Sequence, residues 1–147
     1  MDYGKEFYIT AEDVRISLGL PCGTRRVDKI VPFENRMIAA EWRKHLGKED
    51  DHANIRAHHI VSSIEKSTNN HYFIRDFIIL VFTCLFETPQ SGVASQNLIM
   101  KLSDMRRIAE YDLCDFVLRC LDEATVRWQA NRTSSFTGPI ILLVVSM

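Results

Sequence analysis

Five histidines in the first half of the chain are the residues best suited to metal or acid–base chemistry. They are His45, His52, His58, His59 and His71. Two histidines on one helix share a metal ion when they lie three or four residues apart, as in H-E-x-x-H. No pair here has that spacing, and the run Asp50, Asp51 and His52 could meet a metal only through tertiary folding. We therefore predict a solvated surface at these residues and no metal site.

Candidate nucleophiles give no stronger signal. The chain has no G-x-S-x-G turn, no C-x-x-C pair and no local cysteine-protease signature. Its six glycines form neither a P-loop nor G-x-G-x-x-G, so no phosphate-binding loop for a cofactor is predicted. We predict no catalytic residue and no cofactor. An enzyme whose cysteine and histidine meet only in the folded chain remains an alternative.

The four cysteines are predicted to be free thiols in a reducing compartment. Cys22, Cys84, Cys114 and Cys120 are scattered, and three of them lie in apolar or helical patterns. Cys114 and Cys120 are six residues apart, which on a helix turns them about 240° from each other and prevents a bond. The first residues lack a secretory or transit pattern, so we expect an intracellular protein of the cytoplasm or nucleus, with the mitochondrion as an alternative.

The elements that would position these residues are helices. Apolar side chains recur at helical spacing over 34–46 and 111–129, and 71–87 is apolar nearly all round apart from Arg75 and Asp76. The uncharged run 77–86 has ten residues, whereas a membrane span needs about 20. The pattern predicts a single compact all-α domain over 1–147 with six to seven helices, 71–87 at its centre and a short N-terminal extended arm.

Two further expectations concern the central helix. A charged residue surrounded by apolar surface needs a partner, so Arg75 or Asp76 is predicted to pair with another helix. Phe77 and Trp128 are predicted to be buried, so that alanine at either position would cost about 3–5 kcal/mol.

The apolar end of the chain is the candidate interaction site. It follows Pro139 and consists of Ile140, Ile141, Leu142, Leu143, Val144 and Val145. Proline at the first turn favours a helix, and the β-branched residues favour a strand, so both alternatives stay open. A segment this short cannot cross a bilayer. We expect it to pack partly on its own domain and partly on a second copy or a protein partner.

Three stretches resemble a plant family. "ITAEDVRISLGLPCG" (9–23), "RDFIILVFTCLF" (75–86) and "YDLCDFVLRCLDEATVRWQANRTSSFTGPIILLVV" (111–145) are similar, in order, to blocks of the transposon-derived, plant-mobile-domain-like modules. Such modules are often fused to a SUMO-protease-like peptidase, of which this sequence has no part. Leu113 stands where the last block often has tryptophan. The resemblance also implies that the apolar tail is the first half of a longer core helix, truncated here.

Together these observations predict a non-catalytic protein-interaction module derived from a mobile element. A net charge of −1 gives no strong nucleic-acid signal. The alternatives are a cytotoxic, selfish-element protein that acts through organelle or peripheral membrane contact, and the enzyme with a Cys/His site described above.

Overall fold

The fold is built almost wholly from helices. The computed structural model describes residues 8–27, 33–48, 50, 53–87, 89 and 91–145. Within these residues the only β-structure is three isolated bridges, so the predicted all-α class is confirmed. The predicted N-terminal arm lies partly outside the described residues. The seven α-helices are α1 (Ala11–Leu18), α2 (Arg36–His45), α3 (Ala57–Lys66), α4 (Asn70–Val81), α5 (Gln96–Lys101), α6 (Leu113–Ala130) and α7 (Ile140–Val145).

Shorter helical turns connect these helices. A 3-10 turn, Phe33–Asn35, leads into α2, and a second 3-10 segment, Met105–Glu110, precedes α6. A π-helical turn, Phe82–Glu87, continues α4 without a break. None of the helices in the described part of the chain has both the length and the apolarity needed to cross a membrane.

Local signals explain where α1 begins and ends. The Thr10 hydroxyl accepts a hydrogen bond from the Asp13 backbone N–H, and the Asp13 carboxylate accepts one from the Thr10 N–H at 2.8 Å. This reciprocal capping box satisfies two backbone donors that the first turn leaves free. Gly19 ends the helix with φ +65°, a left-handed conformation that favours glycine. Neighbouring residues thus account for both ends of α1.

One hydrophobic core joins the helices. α1 packs on α6, α2 packs on α5, and α4 contacts α3, α5 and the second 3-10 segment. The central position predicted for residues 71–87 is therefore confirmed. The largest fully buried side chains of the core include Trp42 from α2, Ile60 from α3, Ile79 from α4 and Leu98 from α5.

The orientation of α4 differs from the prediction. Its buried residues are Arg75, Asp76 and Ile79, whereas Phe73 and Phe77 are 42% and 51% exposed. These two aromatic rings lie one helical turn apart and stack on each other at 6.2 Å. The charged pair faces the interior because Asp76 has polar partners there, and this rotation turns the opposite aromatic face outward. The prediction that Phe77 is buried is wrong, and Trp128 is also 37% exposed.

A disulfide links the turn after α1 to the first turn of α6. Cys22 and Cys114 are bonded, with their Cα atoms 5.5 Å apart and a sequence separation of 92. The expectation of four free thiols is therefore wrong for this pair, whereas Cys84 and Cys120 are free. The bond forms because the chain after Pro21 runs beside the start of α6: the Gly23 N–H donates to the Tyr111 carbonyl at 3.0 Å, and the Leu113 N–H donates to the Pro21 carbonyl at 3.0 Å.

Gly23 makes this close approach feasible. A Cβ atom at this position would collide with the Glu110 carbonyl group. The turn and the entry to α6 therefore fit together only with glycine here.

Ile60 and Phe77 differ in solvent exposure, so replacing each by alanine should lower the free energy of unfolding by different amounts. Ile60→Ala removes a fully buried side chain and should lower the free energy of unfolding by about 2–5 kcal/mol. Phe77→Ala should cost much less, because half of its side chain already contacts solvent. Urea unfolding of both variants measures the difference, and equal losses would contradict the described orientation of α4.

The disulfide should contribute measurably to stability. Cys22→Ser should lower the free energy of unfolding by about 2–5 kcal/mol under non-reducing conditions, because the unfolded chain loses a cross-link. Cys84→Ser is the matched control, since Cys84 is free and exposed and should leave stability unchanged. Urea unfolding with and without reductant checks both variants. Four titratable thiols in the native, untreated protein would refute the bond.

Candidate functional site

The apolar end of the chain forms a short helix that is buried on one side. α7 follows Pro139 and contacts α1 and the π-helical turn, so the helical alternative holds and the strand alternative is wrong. Leu142 is fully buried and Ile141 packs partly against the core. Ile140, Leu143 and Val144 are 45%, 40% and 65% exposed. We call these three exposed residues the tail face; the side chain of Val145 lies outside the described part.

Two residues before α7 fix its position on the domain. Gly138 and Pro139 are buried, and a Cβ atom at Gly138 would collide with the Cβ of Ala124 on α6. The two elements that α7 contacts each expose an apolar side chain as well: Ile16 on α1 is 69% exposed, and Leu85 on the π-helical turn is 40% exposed. Exposed apolar side chains thus occur on α7 and on both of the elements that it contacts.

A second group of side chains lies between α2, α3 and α4. No pattern in the sequence indicates that these side chains lie close together. The Asp76 carboxylate is fully buried. Its Oδ1 accepts a hydrogen bond from Trp42 Nε1 at 2.7 Å, and its Oδ2 accepts one from the Ser63 hydroxyl at 2.7 Å. His45 Nε2 lies 3.3 Å from the same Oδ2 and 2.9 Å from Ser63 Oγ. We call these four residues the Asp76 cluster.

The Asp76 cluster contains the residue types of a serine hydrolase in a different arrangement. In a catalytic triad the aspartate holds one ring nitrogen of the histidine while the other nitrogen receives the serine proton. Here Asp76 and Ser63 both approach Nε2 of His45, and the Ser63 hydroxyl donates to the carboxylate. His45 also stacks flat on the Tyr72 ring at 3.9 Å. This geometry joins three helices, and it differs from a triad because the carboxylate and the hydroxyl approach the same ring nitrogen.

Arg75, the neighbour of Asp76, has a different environment. It is 4% exposed, and its Nη2 donates to His71 Nε2 at 3.0 Å, while Nε and Nη1 have no hydrogen-bond partner. Burial and the adjacent positive charge of Arg75 lower the pKa of His71, so the neutral ring can accept this bond. The predicted interhelical partner therefore exists for Asp76, through His45, whereas Arg75 bonds within its own helix.

The two free cysteines do not form a dyad with histidine. Burial, followed by the nearby charges of Glu87 and Glu123, raises the pKa of the Cys120 thiol to about 11. That thiol is protonated at neutral pH, and a thiol is a much weaker nucleophile than its thiolate. In the part of the chain that the structure describes, no hydrogen bond joins a cysteine to a histidine, and Cys84 is exposed on the π-helical turn.

Potential metal ligands meet at one place. The ligand atoms of Cys22, Asp112 and Cys114 lie within 4.8 Å of one another. The two sulfur atoms are bonded to each other, and Asp112 caps α6 by accepting the Asp115 N–H at 3.0 Å. Metal binding requires thiolates, so the bonded pair does not supply ligands. Of the acidic run considered earlier, Asp50 is exposed, and Asp51 and His52 lie outside the described residues.

Comparison with known proteins identifies the family. A family described as "Domain of unknown function (DUF8566)" matches residues 1–144. The chain belongs to this family. The match covers every described helix except the last residue of α7. No curated protein and no solved structure matches the chain.

The Asp76 cluster should be essential for stability. Asp76→Ala leaves Trp42 and Ser63 without their buried acceptor and should cost about 3–5 kcal/mol in the free energy of unfolding. Asp76→Asn keeps one acceptor oxygen and should cost less. Glu65→Ala, which removes an exposed carboxylate from α3, is the control. If urea unfolding finds Asp76→Ala as stable as this control, the cluster does not hold the three helices together.

Proposed function

We propose that this protein is a non-catalytic protein-interaction module that binds through the tail face. The observation that carries the proposal is the exposure of Ile140, Leu143 and Val144 on a helix whose other side is anchored by Leu142. Exposed apolar side chains that cluster on touching elements are typical of binding surfaces. The anchoring at Gly138 also means that the surface is presented in a fixed position, which reduces the entropy lost on binding.

The partner that we propose for this surface is a second copy of the chain. Its formal net charge is −1, so two copies meet with little electrostatic repulsion. A two-fold symmetric dimer places the same patch on both subunits, which allows two short helices such as α7 to cover each other. Ile16 and Leu85, on the elements that contact α7, can extend the covered area.

A charge placed on the tail face tests this proposal. Leu143→Glu should weaken self-association at least about tenfold, because two carboxylates would be brought together at the interface of a symmetric dimer. The side chain is 40% exposed, so the variant should remain folded. Sedimentation velocity over a concentration series measures association, and circular dichroism checks the fold.

Met37→Glu is the matched control. Met37 is 78% exposed on α2, and α2 contacts neither α7 nor the elements on which α7 packs. This variant makes the same charge change and should associate like the parent chain. A parent protein that stays monomeric at every concentration would refute the second copy as partner, and so would Met37→Glu and Leu143→Glu having equal effects.

Three expectations stay predictions. The resemblance of 9–23, 75–86 and 111–145 supports an origin in plant mobile elements, and the cytotoxic alternative follows from that origin. The intracellular location is the third prediction. Disulfides persist most readily in oxidising compartments. The Cys22–Cys114 bond is therefore a reason to measure in which compartment the protein is located.

A further inference from the structure

A polar groove lies on the side of the domain formed by α2 and α3. It has a volume of about 510 Å³ and runs between the turn that ends α2 and the C-terminal half of α3. Its lining includes Lys48, His59, Ser62, Ser63, Lys66 and Ser67, and His45 also borders it. Ligand sites of small molecules typically have volumes of about 300–1,000 Å³, so the groove is large enough for more than a single ion.

The charges around the groove are mainly positive. Lys48 and Lys66 line it, and none of the lining residues that the structure describes is an aspartate or glutamate. Burial, followed by the positive charges of His58, Lys48 and Arg56, lowers the pKa of His59. Asp76, whose carboxylate is bonded to the lining residue Ser63, also accepts a hydrogen bond from Trp42. Glu65 on α3 is exposed and is not part of the lining.

The backbone around the groove is fixed before any ligand binds. Gly47 has φ +69°, and the Lys48 N–H donates to the Arg43 carbonyl at 2.8 Å, which closes the end of α2 as a Schellman turn. The buried Arg43 guanidinium in turn donates to the carbonyl of Ala53 at 2.7 Å and to that of Asp50. Lys48 is thus attached to a turn that Arg43 holds in place.

The serine hydroxyls on the opposite wall are also positioned by other residues. Ser63 is held by Asp76, and the Ser67 hydroxyl donates to the Asn69 carbonyl at 3.2 Å. Ser62 lies next to Ser63 and also lines the groove. The hydrogens of Ser63 and Ser67 are thus already donated within the protein, which leaves the Ser62 hydroxyl as the serine donor for a ligand oxygen.

We propose that this groove binds the phosphate group of a small phosphorylated molecule. The ammonium groups of Lys48 and Lys66 supply positive charge, and the Ser62 hydroxyl supplies a hydrogen bond to a phosphate oxygen, which is a strong acceptor. The remaining volume accommodates an organic group. A net charge of −1 gives no general attraction for polyanions, which favours a small ligand over nucleic acid. The site is separate from the tail face, because residues of α2, α3 and the turns that follow them line the groove, whereas α7 packs mainly on α1 and the π-helical turn.

Titration with two probes tests the groove. Inorganic phosphate and glycerol 3-phosphate are added separately to the full chain, and isothermal calorimetry measures each affinity. Both should bind, glycerol 3-phosphate more tightly, and added salt should weaken both. Lys48→Gln and Lys66→Gln should each weaken binding about tenfold, since a charged hydrogen bond to phosphate is lost. Both side chains reach solvent, so these variants should fold normally.

Lys44→Gln is the matched control because Lys44 is exposed on α2 and does not line the groove. It makes the same charge change and should leave both affinities unchanged. Three outcomes would overturn the proposal: no heat from either probe, equal weakening by Lys44→Gln and Lys48→Gln, or glycerol 3-phosphate binding no more tightly than inorganic phosphate. None of these results depends on the oligomeric state, so the proposal can fail while the tail-face proposal stands.

Discussion

The buried carboxylate of Asp76 is the constraint on which the arrangement of α2, α3 and α4 depends. An isolated charge in a protein interior is too costly to tolerate, so its partners must be close and correctly placed. Trp42, Ser63 and His45 meet this requirement from two other helices, at 2.7, 2.7 and 3.3 Å. The rotation of α4 about its axis, and with it the outward position of Phe73 and Phe77, follows from satisfying this one group. Burial of apolar surface alone would have favoured the opposite rotation.

The predictable part of the fold is the part governed by local signals. The capping box at Thr10, the left-handed Gly19 and the apolar spacing of α2 and α6 are properties of neighbouring residues, and each identifies its helix in the sequence. The single domain with 71–87 near its centre also follows from the pattern, because that segment is apolar nearly all round apart from Arg75 and Asp76.

What the sequence could not provide is contact between distant residues. Asp76 was recognisable as a charge that needs a partner, yet nothing near Trp42 or Ser63 indicates that they supply it. The Cys22–Cys114 pair was missed for the same reason, since its sequence separation is 92 and the spacing rule considered only Cys114 with Cys120. Phe77 was wrongly assigned to the core because apolar side chains are usually buried, and here a polar network decided otherwise. The groove beside Lys48 was invisible because its two walls come from different helices.

The disulfide has a topological consequence for the whole molecule. It converts residues 22–114 into a covalent ring that carries α2 to α5, with α1 attached on one side and α6 and α7 on the other. A protease that cuts any exposed turn inside the ring opens the chain without separating it into two molecules. The same cut after reduction releases two fragments. Cleavage in these loops therefore leaves the two parts of the chain covalently linked as long as the disulfide is intact. Reduction of the Cys22–Cys114 bond allows them to separate.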